Sequence, residues 1–136
     1  GDSEVYVIAY GHSNHTGELG QMGQEFLKKF DDDYYTFATY NGIQLLGGAM
    51  AKAKSTNPVQ VAKAMEGLTV KSFSGDITMR GSDHQLQQTL YATTWKKKDA
   101  KNSYDVEGTG MTWAPEKVFE PYVSSTPTSC QMKAPG

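Results

Sequence analysis

Four groups of residues carry types and spacings from which chemistry is commonly built. Gly11-His12-Ser13 directly follows an apolar run and shortly precedes a helical pattern, the setting of a nucleophile elbow that exposes a serine hydroxyl on a sharp turn. That turn leaves no room for a side chain two positions after the serine, and His15 stands there. Asp83-His84 falls in the wrong setting to complete a hydrolase, so a polar loop is the better reading of Ser13. His12, His15 and His84 with Asp83 supply three imidazoles and a carboxylate. A metal needs such ligands to converge and to be oriented by further hydrogen bonds. Within a loop, a spacing of three enforces no common face, and no metal site is expected. Gly42 and Gly47-Gly48 lie inside a helical pattern and not between a strand and a helix N-terminus, so no phosphate cradle is expected either. Tyr34, Tyr35, Phe37 and Tyr40 form the densest aromatic cluster. They read either as a helix start packed onto a core or as rings lining a cleft.

The elements that must position these residues follow from periodicity. Val5 to Tyr10 is β-branched and aromatic and reads as a mostly buried strand ending at Gly11. From Glu18 to Phe30, the positions Leu19, Met22, Phe26, Leu27 and Phe30 recur at helical steps and predict one buried stripe. A second helix is expected from Phe37 or Ala38, burying Tyr40, Ile43, Leu46, Met50 and Ala53. Asn57-Pro58 starts a third, because asparagine caps and proline suits the first helical position. It buries Val61, Met65 and Leu68 and stops at Gly67. Strands follow at Val70 to Phe73, Gly75 to Met79, Leu90 to Trp95 and Met111 to Trp113, with Gly75 at a turn or bulge. A proline-punctuated tail runs from Pro115 to Gly136. The order predicts layered α/β architecture with a small sheet.

Length and charge narrow the function. At 136 residues, the chain can bury one core but not two full lobes. The net charge of -2 gives no footprint for nucleic acid or an anionic membrane surface, and the run Lys96-Lys97-Lys98 reads as a solvated strand end. No apolar run approaches the roughly 20 residues of a membrane-spanning helix, and direct membrane insertion is not expected. The chain opens Gly1-Asp2-Ser3-Glu4 without a basic-then-apolar leader, which fits either a mature start or the removal of something upstream. The sole cysteine, Cys130, cannot form an internal disulfide.

A longer pattern is then visible. Tyr35 to Leu46 resembles the segment of branched-chain amino-acid binding proteins in which a short aromatic stretch leads into a long helix. Ala49-Met50-Ala51-Lys52-Ala53, the helix opened by Ser55-Thr56-Asn57-Pro58, the glycine-strand Phe73 to Arg80, and the turn Asp83-His84-Gln85 continue it in order. The ending Pro127 to Lys133 is similar to the tail of a subgroup. The resemblance implies a partial type I periplasmic binding protein fold, spanning residues 1–136 of this chain. The family has two α/β lobes joined by crossover strands, and its members are more than twice this long. It also implies capture without catalysis: an ABC-type importer's periplasmic substrate-binding component, closing on an amino acid and docking on a membrane permease, with no cofactor. Of the positions here, Tyr35 matches the pocket-lining aromatic stretch best and Phe37 second. The resemblance makes Cys130 either a half-cystine with a partner elsewhere or a free tail thiol. A sensor or interaction module on the same fold is the alternative, and a serine hydrolase at Ser13 a remote one.

Overall fold

Strand β1 (Tyr6–Ala9) leads through a polar loop into α1 (Gly17–Phe30), followed by α2 (Thr36–Ala53) and α3 (Pro58–Met65). Strands β2 (Thr69–Ser72), β3 (Gly75–Met79), β4 (Leu86–Gln87), β5 (Leu90–Lys97) and β6 (Met111–Phe119) complete the regular structure, with short 3-10 turns at Val106–Gly108 and Pro121–Ser124. The computed structural model describes residues 4–30, 34–73, 75–129 and 133. Cys130 lies outside them, as do Asp31-Asp32-Asp33.

The layered α/β expectation holds, but with two sheets in place of one. The strands form two three-stranded sheets, ordered β1-β5-β6 and β2-β3-β4, and every pairing is antiparallel. Gly75 closes the β2–β3 hairpin at φ +94°, a conformation open to glycine without a Cβ clash. Strand β6 runs through Pro115 into the stretch that reads as tail. Pro115 has no N–H to donate, and the β5–β6 register shifts between Ala92 and Thr93, leaving Glu116 unpaired in a bulge on the sheet's edge. Asn57 caps α3 as its sequence demands, accepting from the N–H of Val59 at 3.1 Å and of Gln60 at 3.2 Å.

The core is aromatic and lies where α1, the first turns of α2 and the end of β2 meet. Leu27, Tyr34, Phe37 and Phe73 are buried there, with Ala9, Tyr10, Phe26, Tyr40, Tyr104 and Trp113 packed against them. Phe73 stacks on Phe37 at 4.3 Å and is met by Tyr40 at 4.5 Å and Phe26 at 5.7 Å.

Three burial expectations are corrected. On α1, Leu27 and the glycine faces of Gly20 and Gly23 point inward, Phe26 is half-buried, and Met22 and Phe30 are exposed. The small residues allow close approach: a Cβ on Gly23 would sit 3.4 Å from the Phe37 ring. On α2, the buried line is Phe37, Asn41, Leu45 and Ala49, while Ile43 is 64% and Leu46 42% exposed. The helix is apolar on both faces, so its spacing alone does not choose between them. Strand β1 only half-buries its alternate residues Val7 and Ala9 and leaves Tyr6 and Ile8 exposed, because nothing among the described residues covers its outer face.

Asn41 is the costly member of the α2 line. It is 1% exposed, and neither carboxamide atom has a hydrogen-bond partner among the described residues. A buried unsatisfied polar group costs about 1–3 kcal/mol. Asn41→Leu in this chain is therefore expected to raise its stability by about 1–2 kcal/mol. A urea or thermal melt checks it, and a lowered midpoint would show that the carboxamide has a partner.

Candidate functional site

The aromatic doublet before α2 is split by its own helix. Tyr34 turns inward and is 1% exposed, while Tyr35, at the N-cap, is 58% exposed. Their rings stack at 4.4 Å with 28° between planes, so the buried ring backs the exposed one. Tyr10, at the end of β1, meets Tyr34 edge-on at 6.2 Å, and its hydroxyl donates to the Tyr35 carbonyl at 3.1 Å. The result is a ledge of three tyrosines joining the C-terminal end of a strand to the N-terminus of a helix. It offers an apolar face with phenolic edges, suited to holding an aliphatic or aromatic group.

Phe37 does not share this ledge. Its ring is 1% exposed and stacked in the core on Phe73, so it is not available to a ligand in this structure. The helical step of two residues from Tyr35 turns its side chain to the opposite side of α2. Tyr34 belongs to the aromatic cluster that the sequence marks, whereas Tyr10 lies outside it. The signal for Tyr10 was faint: a tyrosine closing a strand just before Gly11.

The other chemical candidates are placed as follows. Ser13 is 5% exposed, its hydroxyl has no hydrogen-bond partner among the described residues, and its carbonyl accepts from the Gln24 amide at 2.8 Å. Among the described residues no base is hydrogen-bonded to it, and its burial keeps it from solvent. His12 and His15, whose spacing enforces no common face, stack at 3.8 Å. His84 is remote from them, on the turn after β3, with Nε2 3.5 Å from Glu66. Asp83 on that turn accepts from Arg80 Nε at 2.8 Å and from the Gln85 N–H at 3.1 Å. The Arg80 contact holds the carboxyl well below the usual carboxylate range. Arg80 also donates to the Thr126 carbonyl at 2.8 Å, so this turn anchors the segment after β6. Among the described residues, no cluster of three or more His, Cys, Asp or Glu side chains has metal-holding geometry. Lys96 pairs with Asp99 at 3.0 Å and Lys98 with Asp105 at 2.6 Å, which makes the basic run a solvated strand end. No described helix is long and apolar enough to cross a membrane.

Known proteins share both the sequence and this architecture. The chain is 32% identical over 96% of its length to the Leu/Ile/Val-binding protein homolog 4 of Brucella abortus, and to its counterpart in Brucella suis. It spans about a third (34%) of the length of these curated relatives. Among solved structures, it superposes with a TM-score of 0.83 on the leucine-, isoleucine-, valine-, threonine- and alanine-binding protein of Brucella ovis in its closed conformation. That match has 27% identity and covers 98% of this chain and 36% of the other. An ABC-type branched-chain amino acid transporter protein from Rhodopseudomonas palustris shares the fold at a TM-score of 0.67 and 20% identity, over 97% of this chain and 33% of its own. These neighbours bear out the expected partial type I periplasmic binding protein fold. The family model for periplasmic binding proteins matches residues 5–101, and with most of its residues inside that match the chain belongs to the periplasmic binding protein family.

Proposed function

We propose that this chain is part of the periplasmic substrate-binding component of an ABC-type importer for branched-chain or related amino acids, and that the Tyr10–Tyr34–Tyr35 ledge forms one wall of its ligand cleft. The observation that supports this most directly is the exposed Tyr35 ring, backed by a buried ring in a chain of this family. An exposed aromatic that rests on a fixed partner loses little freedom on meeting a ligand, which is what a binding wall requires. The work is capture: a cleft closes on a small solute, the closed form is favoured by the ligand's higher affinity for it, and that form docks on a membrane permease.

A wall alone binds weakly. An amino acid also needs its carboxylate met by hydroxyls or N–H groups and its ammonium met by an acid, since a buried unpaired charge costs several kcal/mol. Stacking an aliphatic side chain on one ring returns about 1–3 kcal/mol, which after the cost of association reaches millimolar affinity at best. The 136-residue chain is therefore expected to bind free amino acids at millimolar strength or weaker. A longer protein that carries both lobes is expected to bind tightly. In that protein, Tyr35→Ala is expected to cost about tenfold in affinity, because it removes apolar wall and no charge partner. Calorimetry with leucine, isoleucine, valine, threonine and alanine on both proteins is the test. Micromolar binding to the monomeric chain would mean that the pocket lies elsewhere and needs less than both lobes, and an unchanged affinity in Tyr35→Ala would remove the ledge from the ligand cleft.

A further inference from the structure

The loop between β1 and α1 is held by a histidine pair that the proposed function does not use. His12 is 4% exposed and lies flat on His15, ring centroids 3.8 Å apart and planes 23° from parallel. Tyr91 of β5 stands edge-on to both rings, at 4.7 Å from His12 and 5.3 Å from His15. His12 Nδ1 accepts the backbone N–H of Asn14 at 3.1 Å, so the ring's own proton must sit on Nε2. His15 Nε2 is buried and has no hydrogen-bond partner among the described residues. The rings line an open cavity of about 340 Å³ together with Lys101 and Asn102 from the segment after β5, and Glu116 and Lys117 from β6. Its charged lining is thus two ammonium groups and one carboxylate. On the α1 side, Gly20 abuts the loop so closely that a Cβ there would meet the His15 carbonyl.

This arrangement accepts neutral imidazoles only. A proton on His12 Nδ1 would face the Asn14 N–H, turning an acceptor into a second donor. Two stacked imidazolium rings would repel each other beside two lysines, with Glu116 the one carboxylate at hand. We propose that the His12–His15 stack is an acid-sensitive latch, which clamps residues 11–16 onto β5 and β6 while neutral and releases that loop, with the sheet intact, when protonated. Because Gly11 follows Tyr10 directly, release frees one end of the tyrosine ledge. The latch stands or falls independently of what the ledge binds.

The direction of the pH response follows from the same geometry. Burial first, and the neighbouring His15 second, push the His12 pKa down from 6.5 to about 3, and burial pushes that of His15 down to about 4. In the open loop both return toward 6.5, so below that pH the open form binds protons that the closed form refuses. Closure is fully favoured above pH 6.5 and weakens by up to about tenfold per histidine for each pH unit below it, until the folded pKa values are reached.

The Asn14 and Tyr104 amides report on the latch directly, because the first donates to His12 and the second to the Asn14 side chain. NMR-detected hydrogen exchange on the 136-residue chain, corrected for intrinsic rates, is expected to show both losing at least tenfold of their protection between pH 7 and pH 5. The amides of β5 should stay protected, and His12→Gln/His15→Gln should abolish the pH dependence. Protection that is constant to pH 4.5, or lost equally in the double variant, would overturn the proposal. Should the double variant fail to fold, the histidine Cε1–H signals of the unmodified chain decide. Midpoints below 5 that coincide with loss of Asn14 protection support the latch, and midpoints near 6.5 with protection intact refute it.

Discussion

Phe37→Ala is expected to cost the chain about 3–5 kcal/mol, as the truncation of a buried phenylalanine generally does. The ring is 1% exposed and meets Phe73 at 4.3 Å and Phe26 at 6.1 Å, and it fills the space opposite Gly23. Its loss removes apolar burial and leaves a cavity between α1, α2 and the end of β2, which rigid neighbouring rings refill poorly. Small domains are stable by only about 5–15 kcal/mol, so this loss is a large share of the total. Tyr35→Ala, two residues away, is expected to change stability by less than about 1 kcal/mol, because more than half of that residue is already in water. Urea denaturation of both variants separates the roles. A Phe37→Ala midpoint close to that of the unsubstituted chain would return Phe37 to the candidates for a ligand-facing ring.

Those two residues show what local pattern conveys and what it omits. The aromatic stretch before α2 and the asparagine–proline start of α3 are local features, and both were legible because cap and propensity act within a few residues. Which face of α2 turns inward is decided at a distance, by β2 and α3 on one side and by the absence of a covering layer among the described residues on the other. Ile43 and Leu46 satisfy a helical stripe as well as Leu45 and Ala49 do, and the true line carries an asparagine that no hydrophobic pattern would choose. The inward face of α1 is equally hard to read, since glycines at positions 20 and 23 give no apolar signal yet permit the closest approach. The site divides the same way. Tyr35 is a candidate through the resemblance alone, whereas its tie to Tyr10 joins residues 25 apart in sequence and exists only in the fold.

Asn14→Ala is expected to destabilise the chain by about 2–4 kcal/mol, although no motif marks this residue. Its side-chain amide donates to the Thr112 hydroxyl at 2.8 Å and to the Trp113 carbonyl at 3.0 Å, and its carbonyl oxygen accepts the Tyr104 N–H at 3.0 Å. These partners lie 98, 99 and 90 residues along the chain, so one short side chain ties the loop after β1 both to β6 and to the segment that precedes it. Each bond contributes about 1 kcal/mol net, and the larger effect is what truncation strands. Thr112 is fully buried, and water does not readily replace the lost amide at its hydroxyl. Asn14→Asp tests whether geometry or mere polarity is required. The carboxylate keeps an acceptor for the Tyr104 N–H and can accept from the Thr112 hydroxyl, but it has no donor for the Trp113 carbonyl and aims a negative charge at it. It should therefore destabilise the chain at pH 7 despite matching asparagine in size, through the contact with the Trp113 carbonyl. Chemical denaturation of the two variants is the measurement. An Asn14→Asp chain as stable as the unsubstituted one would mean that these donated bonds do not hold the loop, and that the aromatic contacts of Tyr91 with the histidine pair suffice to keep it in place.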